Sequence, residues 1–131
     1  MQYFTAVVHK EVGSAYGLTF PDIPGCFAAA DDWSEISAKA TEALDLWFED
    51  AEEVAASPVD AIQARADVQE ALASGASLMT LSYVPSDGKL ERVNISMDRG
   101  LLRAIDATAS ARGMTRSAFL AAVARREIAG F

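Results

Sequence analysis

The chain has 131 residues, of which 51% are apolar and 23% charged, and its net charge is −8. This composition is typical of a folded globular protein and excludes a chain dominated by disorder. The first apolar run, residues 3–8, is too short for a secretory signal core or a membrane span, so we expect a cytoplasmic protein. The single cysteine, Cys26, and the single histidine, His9, exclude an intramolecular disulfide and a zinc cluster. We therefore expect a buried Cys26 and no metal or cofactor.

The charge is distributed unevenly along the chain. Residues 1–90 contain fifteen acidic and four basic residues, a net charge of −11, whereas residues 91–131 contain four acidic and seven basic residues, a net charge of +3. Such asymmetry suggests two segments with different partners, although solvated surfaces alone are the simpler explanation.

The N-terminal half predicts a small α+β domain with an antiparallel sheet. Residues 3–8 and 16–20 are rich in β-branched and aromatic residues and read as a β-hairpin. Two prolines, Pro21 and Pro24, lack amide donors and predict an irregular crossing before a short third strand at residues 27–29. A further strand is predicted at residues 78–84.

Two helices are predicted between the third and fourth strands. Asp32 reads as the N-cap of the first helix, with Glu35 three residues later as its capping-box partner. Apolar residues then recur at helical spacing, at Ile36, Ala40, Leu44 and Trp47. The second helix is predicted at residues 59–73, after Pro58, and ends at Gly75.

The run Pro-Ser-Asp-Gly at residues 85–88 is the clearest linker signal. We therefore divide the chain into an N-terminal domain, residues 1–84, a linker, residues 85–90, and a C-terminal module, residues 91–131.

The C-terminal module reads as strand, helix, glycine turn and helix. Residues 92–97 alternate between polar and apolar, so one side of this strand is dry. Asp98 is the predicted N-cap of the next helix, Gly113 its left-handed C-terminal residue, and Thr115 the cap of the second helix.

A module this small buries too little apolar surface alone, and its single strand has two unpaired edges, so we expect it to be a dimer. Two paired strands form a ribbon that fits the major groove of DNA. The polar side of the ribbon then presents three residues to the bases, Arg92, Asn94 and Ser96. The start of the second helix is suited to hold a backbone phosphate through Thr115, Arg116 and Ser117.

Residues 93–98, followed by residues 112–120, resemble the ribbon-helix-helix repressor family. The resemblance covers almost all of residues 91–129. The alternatives are a ribbon used for dimerisation alone and a plain helical hairpin.

The N-terminal half, considered together with this module, resembles the HicB antitoxin family. The resemblance lies in residues 16–26 and in an acidic turn that leads into the helix carrying Glu35, Ala40 and Leu44. It departs after Cys26, where Ala29 and Ala30 replace a common glycine and Trp33 replaces a common threonine.

This resemblance implies a degenerate ribonuclease-H-like sheet in an antitoxin that binds and blocks a small basic ribonuclease toxin, HicA. It also implies that the C-terminal module represses the operon, as a dimer or a tetramer. An acidic surface independently favours a basic partner. Our candidates for the toxin contacts are Asp22, Asp31 and Asp32, whose alternative role is a solvated acidic face.

Two other functions have to be weighed. A ribonuclease-H-like enzyme needs carboxylates that converge from strands to hold metal ions, but the predicted strands contain none. His9 has no evident catalytic partner and is read as a surface or rim residue, so we expect no enzymatic activity. An N-terminal domain that senses a small molecule stays open, although no phosphate-binding glycine-rich loop supports it.

Overall fold

The computed structural model describes residues 1–85 and 88–129, except for the side chain of Ala129. Ser86 and Asp87 of the predicted linker, and the last two residues of the predicted C-terminal module, lie outside the described residues. The chain divides after Pro85 into two compact units, named unit 1 and unit 2. None of the helices in the described ranges is long and apolar enough to cross a membrane.

Within the described part of unit 1, four strands form one antiparallel sheet. They are β1 (Gln2–Lys10), β2 (Tyr16–Thr19), β3 (Phe27–Ala30) and β4 (Ser77–Tyr83). The sheet order is β3-β2-β1-β4, so the first strand lies in the interior and pairs with the last. The predicted antiparallel sheet is confirmed, and its strand ends differ from the predicted ones by at most two residues.

Helices cover both faces of this sheet. Helix α1 (Ile36–Phe48) covers one face, and two short helices, α2 (Val59–Gln63) and α3 (Ala66–Ala73), pack against the other. Alternation along β1 explains the division, since Phe4, Ala6 and Val8 face α1 whereas Val7 packs with α2 and α3. Unit 1 therefore has two small cores on opposite sides of one sheet.

The predicted stripe of α1 is confirmed at Ile36, Ala40 and Leu44, which are almost fully buried. The predicted capping box is wrong, because the helix begins only at Ile36. Residues Trp33–Glu35 form a 3-10 turn first, and neither Asp32 nor Glu35 makes a side-chain capping hydrogen bond. The backbone of the turn takes over this role, with the Glu35 amide donating to the Asp32 carbonyl oxygen over 3.0 Å.

The second predicted helix, residues 59–73, is wrong as one element because it is two helices. The chain adopts an extended conformation at Arg65 (φ −68°, ψ 138°), which separates α2 from α3. The break lets Ile62 of α2 and Val68 of α3 enter the same small core beside Val7. The predicted end at Gly75 is confirmed, since Gly75 has a φ of +101° and the Ala76 amide donates to the Ala71 carbonyl oxygen.

The described part of unit 2 contains two helices, α4 (Arg99–Ala111) and α5 (Arg116–Ala129). Asp98 caps α4 as predicted, since its carboxylate accepts a hydrogen bond from the Leu101 amide over 3.0 Å. Gly113 has the predicted left-handed conformation (φ +67°), and the Met114 amide donates to the Ala109 carbonyl oxygen. Residues 92–97 form no assigned strand in the single chain. The predicted ribbon needs a second copy to pair with, so it stays a prediction.

Candidate functional site

Asp22 lies in the loop between β2 and β3 and has structural partners. Its carboxylate accepts two hydrogen bonds from Ser57, one from the backbone amide and one from the hydroxyl, both over 2.7 Å. Ser57 belongs to the segment that connects α1 to α2 around one end of the sheet. Asp22 therefore fastens this connection, a role that the sequence interpretation missed.

The same connection is held at a second point by Gln2. Its side-chain amide donates to the Val54 carbonyl oxygen over 2.9 Å and accepts from the Ala56 amide over 2.6 Å. Both partners are more than fifty residues away in sequence, so no local pattern indicates the contact. Together, Gln2 and Asp22 fix the path of residues 54–57.

Asp31 and Asp32 are exposed between β3 and the 3-10 turn. Asp31 lines a shallow pocket together with Glu35 and Lys39. Neither aspartate has the structural partners of Asp22. Of the three predicted toxin contacts, these two are therefore the ones whose carboxylates face solvent in unit 1.

The exposed side of α1 and the segment that follows it carry further carboxylates. The exposed members of this acidic surface are Glu42, Asp45, Glu49, Asp50, Glu52 and Glu53. Asp45 also accepts a hydrogen bond from the Tyr83 hydroxyl over 2.7 Å, which ties α1 to β4. The acidic surface therefore combines solvated carboxylates with one that holds the fold together.

A groove on the other face of the sheet was not predicted. It lies between α3 and the β2–β3 loop, where Phe27 is 68% exposed and His9 stands at its edge. Arg65 and Asp67 pair at its rim over 3.0 Å, and Arg65 also donates to the Pro21 carbonyl oxygen. The hydrogen bond from Arg65 lowers the pKa of Asp67. The exposed Phe27 is a signal that becomes visible only when the sheet order is known.

Cys26 is among the residues that line this groove, and its side chain is buried, as predicted, in the core beneath α1. Burial raises the pKa of its thiol. The thiol is therefore protonated at neutral pH.

In unit 2, the predicted base-contacting residues Arg92, Asn94 and Ser96 are exposed. The intervening apolar residues are exposed as well, Val93 by 70% and Ile95 by 64%. Both sets are exposed because, in the described part of unit 2, no strand pairs with residues 92–97 and no helix covers them.

The start of α5 has the predicted cap. The Thr115 hydroxyl accepts a hydrogen bond from the Ala118 amide over 3.1 Å, while Arg116 and Ser117 are exposed. The Arg116 guanidinium, however, makes a two-point contact with Asp106 of α4. Its Nε donates to Oδ1 and its Nη2 to Oδ2, both over 2.8 Å.

Unit 2 buries little apolar surface. Within its described residues only Ile105 and Ala109 are buried, both on α4. Several larger apolar side chains of unit 2 are about half exposed or more, namely Leu90, Leu101, Val123 and Ile128. A solvent-facing apolar surface of this extent is typical of a protein interface.

No group of three or more histidine, cysteine or acidic side chains is placed to hold a metal ion within residues 1–85 and 88–129. The four strands of the sheet contain no aspartate or glutamate. The carboxylates of unit 1 lie on helices and in loops instead. Those that make side-chain hydrogen bonds have different partners, as Asp22 has Ser57 and Asp45 has Tyr83. This arrangement differs from a two-metal nuclease centre, in which carboxylates converge.

A family model described as the HicB-like antitoxin of bacterial toxin-antitoxin systems matches residues 4–124. The match spans nearly the whole chain and includes parts of both units. The chain belongs to the HicB-like antitoxin family. Residues 16–26 and the helix stripe that follows them therefore indicated the family correctly.

A solved structure agrees with the family, and one curated relative of uncharacterized function also matches this chain. The crystal structure of the Burkholderia pseudomallei antitoxin HicB is 32% identical, covers 97% of this chain and 98% of its own, and has a TM-score of 0.55. A 14.9 kDa protein from the rep-hol intergenic region of Haemophilus phage HP1 is 29% identical over 102 residues. The match covers 74% of this chain and 74% of that protein.

A chain of the HicA3 and HicB3 toxin-antitoxin complex matches at 22% identity with a TM-score of 0.53. It is covered completely and corresponds to 64% of this HicB-like chain. At this identity the likeness shows a shared fold.

Proposed function

We propose that this chain is the antitoxin of a type II toxin-antitoxin system that inhibits a small HicA-like ribonuclease and represses its own operon. Toxin binding is assigned to unit 1, and DNA binding and dimerisation to unit 2. The observation that carries the proposal is the family match across residues 4–124. The occurrence of the same fold in the HicA3 and HicB3 complex supports the choice of toxin.

The charge of residues 1–90, a net of −11, supports a basic partner. A toxin that cleaves RNA has to attract phosphates and is therefore basic, so an acidic surface speeds their encounter and orients it. The exposed Asp31 and Asp32 are better placed for this role than Asp22, whose carboxylate is engaged by Ser57. The antitoxin blocks the toxin by covering it, without an enzymatic step or a cofactor.

Toxin contact can be tested by titrating the variant Asp31→Asn/Asp32→Asn with the small basic protein encoded beside this chain. We expect weaker binding, mainly through a slower association rate that depends on salt. Asp60→Asn/Glu70→Gln, on α2 and α3, is a control that removes the same two charges on the other face of the sheet. If both variants weaken binding equally, binding depends on net charge and not on a specific surface around Asp31 and Asp32.

The proposed DNA-binding form is a dimer whose ribbons pair at residues 92–97. Pairing gives the exposed Val93 and Ile95 a common apolar side that the helices of two copies can cover. It also places two sets of Arg92, Asn94 and Ser96 on the opposite side, toward the major groove. The Thr115 hydroxyl caps α5 through the Ala118 amide. The two amides before it, of Arg116 and Ser117, can then bind a DNA phosphate.

Base reading can be tested with the duplex that precedes the operon and a random duplex of the same length. Asn94→Ala should weaken specific binding by roughly 1 to 3 kcal/mol and leave random binding unchanged. Ser110→Ala, on an exposed position of α4, is the control. Equal losses of Asn94→Ala on both duplexes would contradict the assignment of Asn94 to base reading.

A small-molecule sensor is the alternative function, and the groove beside Phe27 is the feature that favours it. In that case metabolites would change DNA binding and no toxin would bind. Mutation of Phe27 to Ala separates the two readings, because it removes the wall of the groove without changing the acidic surface. A metabolite response that Phe27→Ala abolishes, in a protein that inhibits no toxin, would favour the sensor. Toxin inhibition that Phe27→Ala leaves unchanged, with no metabolite response in either protein, would favour the antitoxin.

A further inference from the structure

The Asp106–Arg116 pair joins the two helices of unit 2 at a defined point. Arg116 is the first residue of α5, and Asp106 lies in the middle of α4. Two parallel hydrogen bonds of 2.8 Å connect the guanidinium plane to the carboxylate plane. Such a two-point contact fixes orientation as well as distance, which a single charged contact does not do.

The surroundings of the pair strengthen this view. The Arg116 hydrogen bonds lower the pKa of Asp106, so the pair is charged across the neutral range. A second contact joins the same two helices, since the Arg112 guanidinium at the end of α4 lies over the Phe119 ring of α5 at 5.8 Å. The turn is therefore bridged by two side-chain contacts, with Gly113 setting its backbone path.

Binding of a DNA phosphate by the same guanidinium would have two electrostatic costs. It would break the two-point contact, and it would leave the Asp106 carboxylate unpaired close to the negative DNA backbone. With the pair intact, the negative charge of Asp106 is neutralised locally. The Ala118 amide donates to the Thr115 hydroxyl, but the Arg116 and Ser117 amides at the start of α5 stay available to a phosphate in either case.

We propose that Arg116 is a positioning residue, which holds the start of α5 against α4 through Asp106 and does not bind DNA phosphate with its side chain. This inference rests on the proposed DNA-binding function of unit 2. It assigns Asp106, an acidic residue in a basic module, a positive contribution to DNA binding.

The sign of one substitution distinguishes the two roles of Arg116. Asp106→Asn keeps the side-chain shape but removes the charge partner of Arg116. If Arg116 positions α5, DNA binding by the full chain weakens on the operon-proximal duplex and on the random duplex alike. If Arg116 is a phosphate ligand, the same change frees its guanidinium and removes a repulsive charge, and binding tightens. Glu127→Gln, a charge-matched change on α5, should leave binding equal or slightly tighter.

A conservative change of Arg116 gives a second test. Arg116→Lys retains the positive charge but loses the planar two-point contact, so a positioning role predicts a loss as large as that of Arg116→Gln. A phosphate ligand would tolerate lysine. For Arg116→Gln, positioning leaves the slope of log affinity against log salt unchanged, whereas loss of a phosphate contact reduces it by about 0.9. A reduced slope with tolerance of lysine would overturn the proposal.

Amide exchange measured by NMR on the full chain reads the same pair without DNA. In Asp106→Asn we expect faster exchange of the Arg116 side-chain Nε proton and of the Ala118 and Phe119 amides, which donate to Thr115 at the start of α5. Unchanged exchange at these protons would overturn the proposal, whatever the DNA result. Absence of DNA binding by the unmodified protein would instead defeat the proposed function, while the exchange data would still decide whether the pair holds the turn.

Discussion

Replacing Asp22 by alanine should destabilise unit 1 before it affects any binding surface. The change removes the acceptor of two 2.7 Å hydrogen bonds from the partly buried Ser57. Each hydrogen bond to a charged group contributes about 1.5 to 3 kcal/mol, and part of this is recovered when water reaches the freed amide and hydroxyl. We therefore expect a loss of about 2 to 4 kcal/mol in the free energy of unfolding of unit 1.

Urea unfolding followed by tryptophan fluorescence measures this loss, because both tryptophans, Trp33 and Trp47, belong to unit 1. With a urea dependence of about 1 to 1.5 kcal/mol per molar, the midpoint should fall by roughly 1.3 to 4 M. Asp22→Asn is the matched control, because it retains one acceptor for the Ser57 amide and should lose less than half as much.

Toxin binding measured well below the unfolding transition completes the test. We expect Asp22→Ala to retain binding there, since its carboxylate faces Ser57. An Asp22→Ala protein that unfolds at the original urea concentration but no longer binds toxin would refute this reasoning and make Asp22 a direct contact.

Three further predictions concern single residues. Gly113→Ala should lower the stability of unit 2 by about 1 to 2 kcal/mol, because the strain comes from its φ of +67° alone. Gly113→Asn, whose side chain tolerates this φ better, should lose less in the same helical circular dichroism melts. Asp98→Ala should cost unit 2 about 0.5 to 2 kcal/mol by removing the cap of α4, and an unchanged melt would contradict the assigned cap. Cys26 should react with iodoacetamide slowly in the native protein, where its thiol is buried and its pKa is raised, and rapidly in urea. Equal rates would show that the reagent reaches the thiol in the folded protein.

Local sequence patterns predicted the elements of this fold well. Alternation and β-branched runs located the four strands, and the spacing of Ile36, Ala40 and Leu44 identified the buried side of α1. Gly75 and Gly113 marked helix ends because the left-handed conformation at those positions favours glycine. These features depend on neighbours within a few residues, which is the range that a sequence pattern reports.

Contacts between distant residues were not predictable in this way. The Asp22–Ser57 and Gln2–Ala56 hydrogen bonds join residues 35 and 54 positions apart, and they exist only because the sheet brings the ends of its strands together. The Asp32 capping box failed because the 3-10 turn satisfies its own backbone groups. In the candidate DNA-binding site, the polar residues of the ribbon could be named from alternation, whereas the engagement of Arg116 by Asp106 depends on how α4 and α5 pack.

Inhibition of the toxin is the central claim, and one assay addresses it directly. RNA cleavage by the HicA-like toxin proposed as the partner of this chain can be followed while increasing amounts of the full chain are added. Our account predicts that cleavage stops once the toxin is saturated, at a fixed molar ratio, and that unit 1 carries the effect. Cleavage that continues at its original rate in a large excess of this chain would contradict the account.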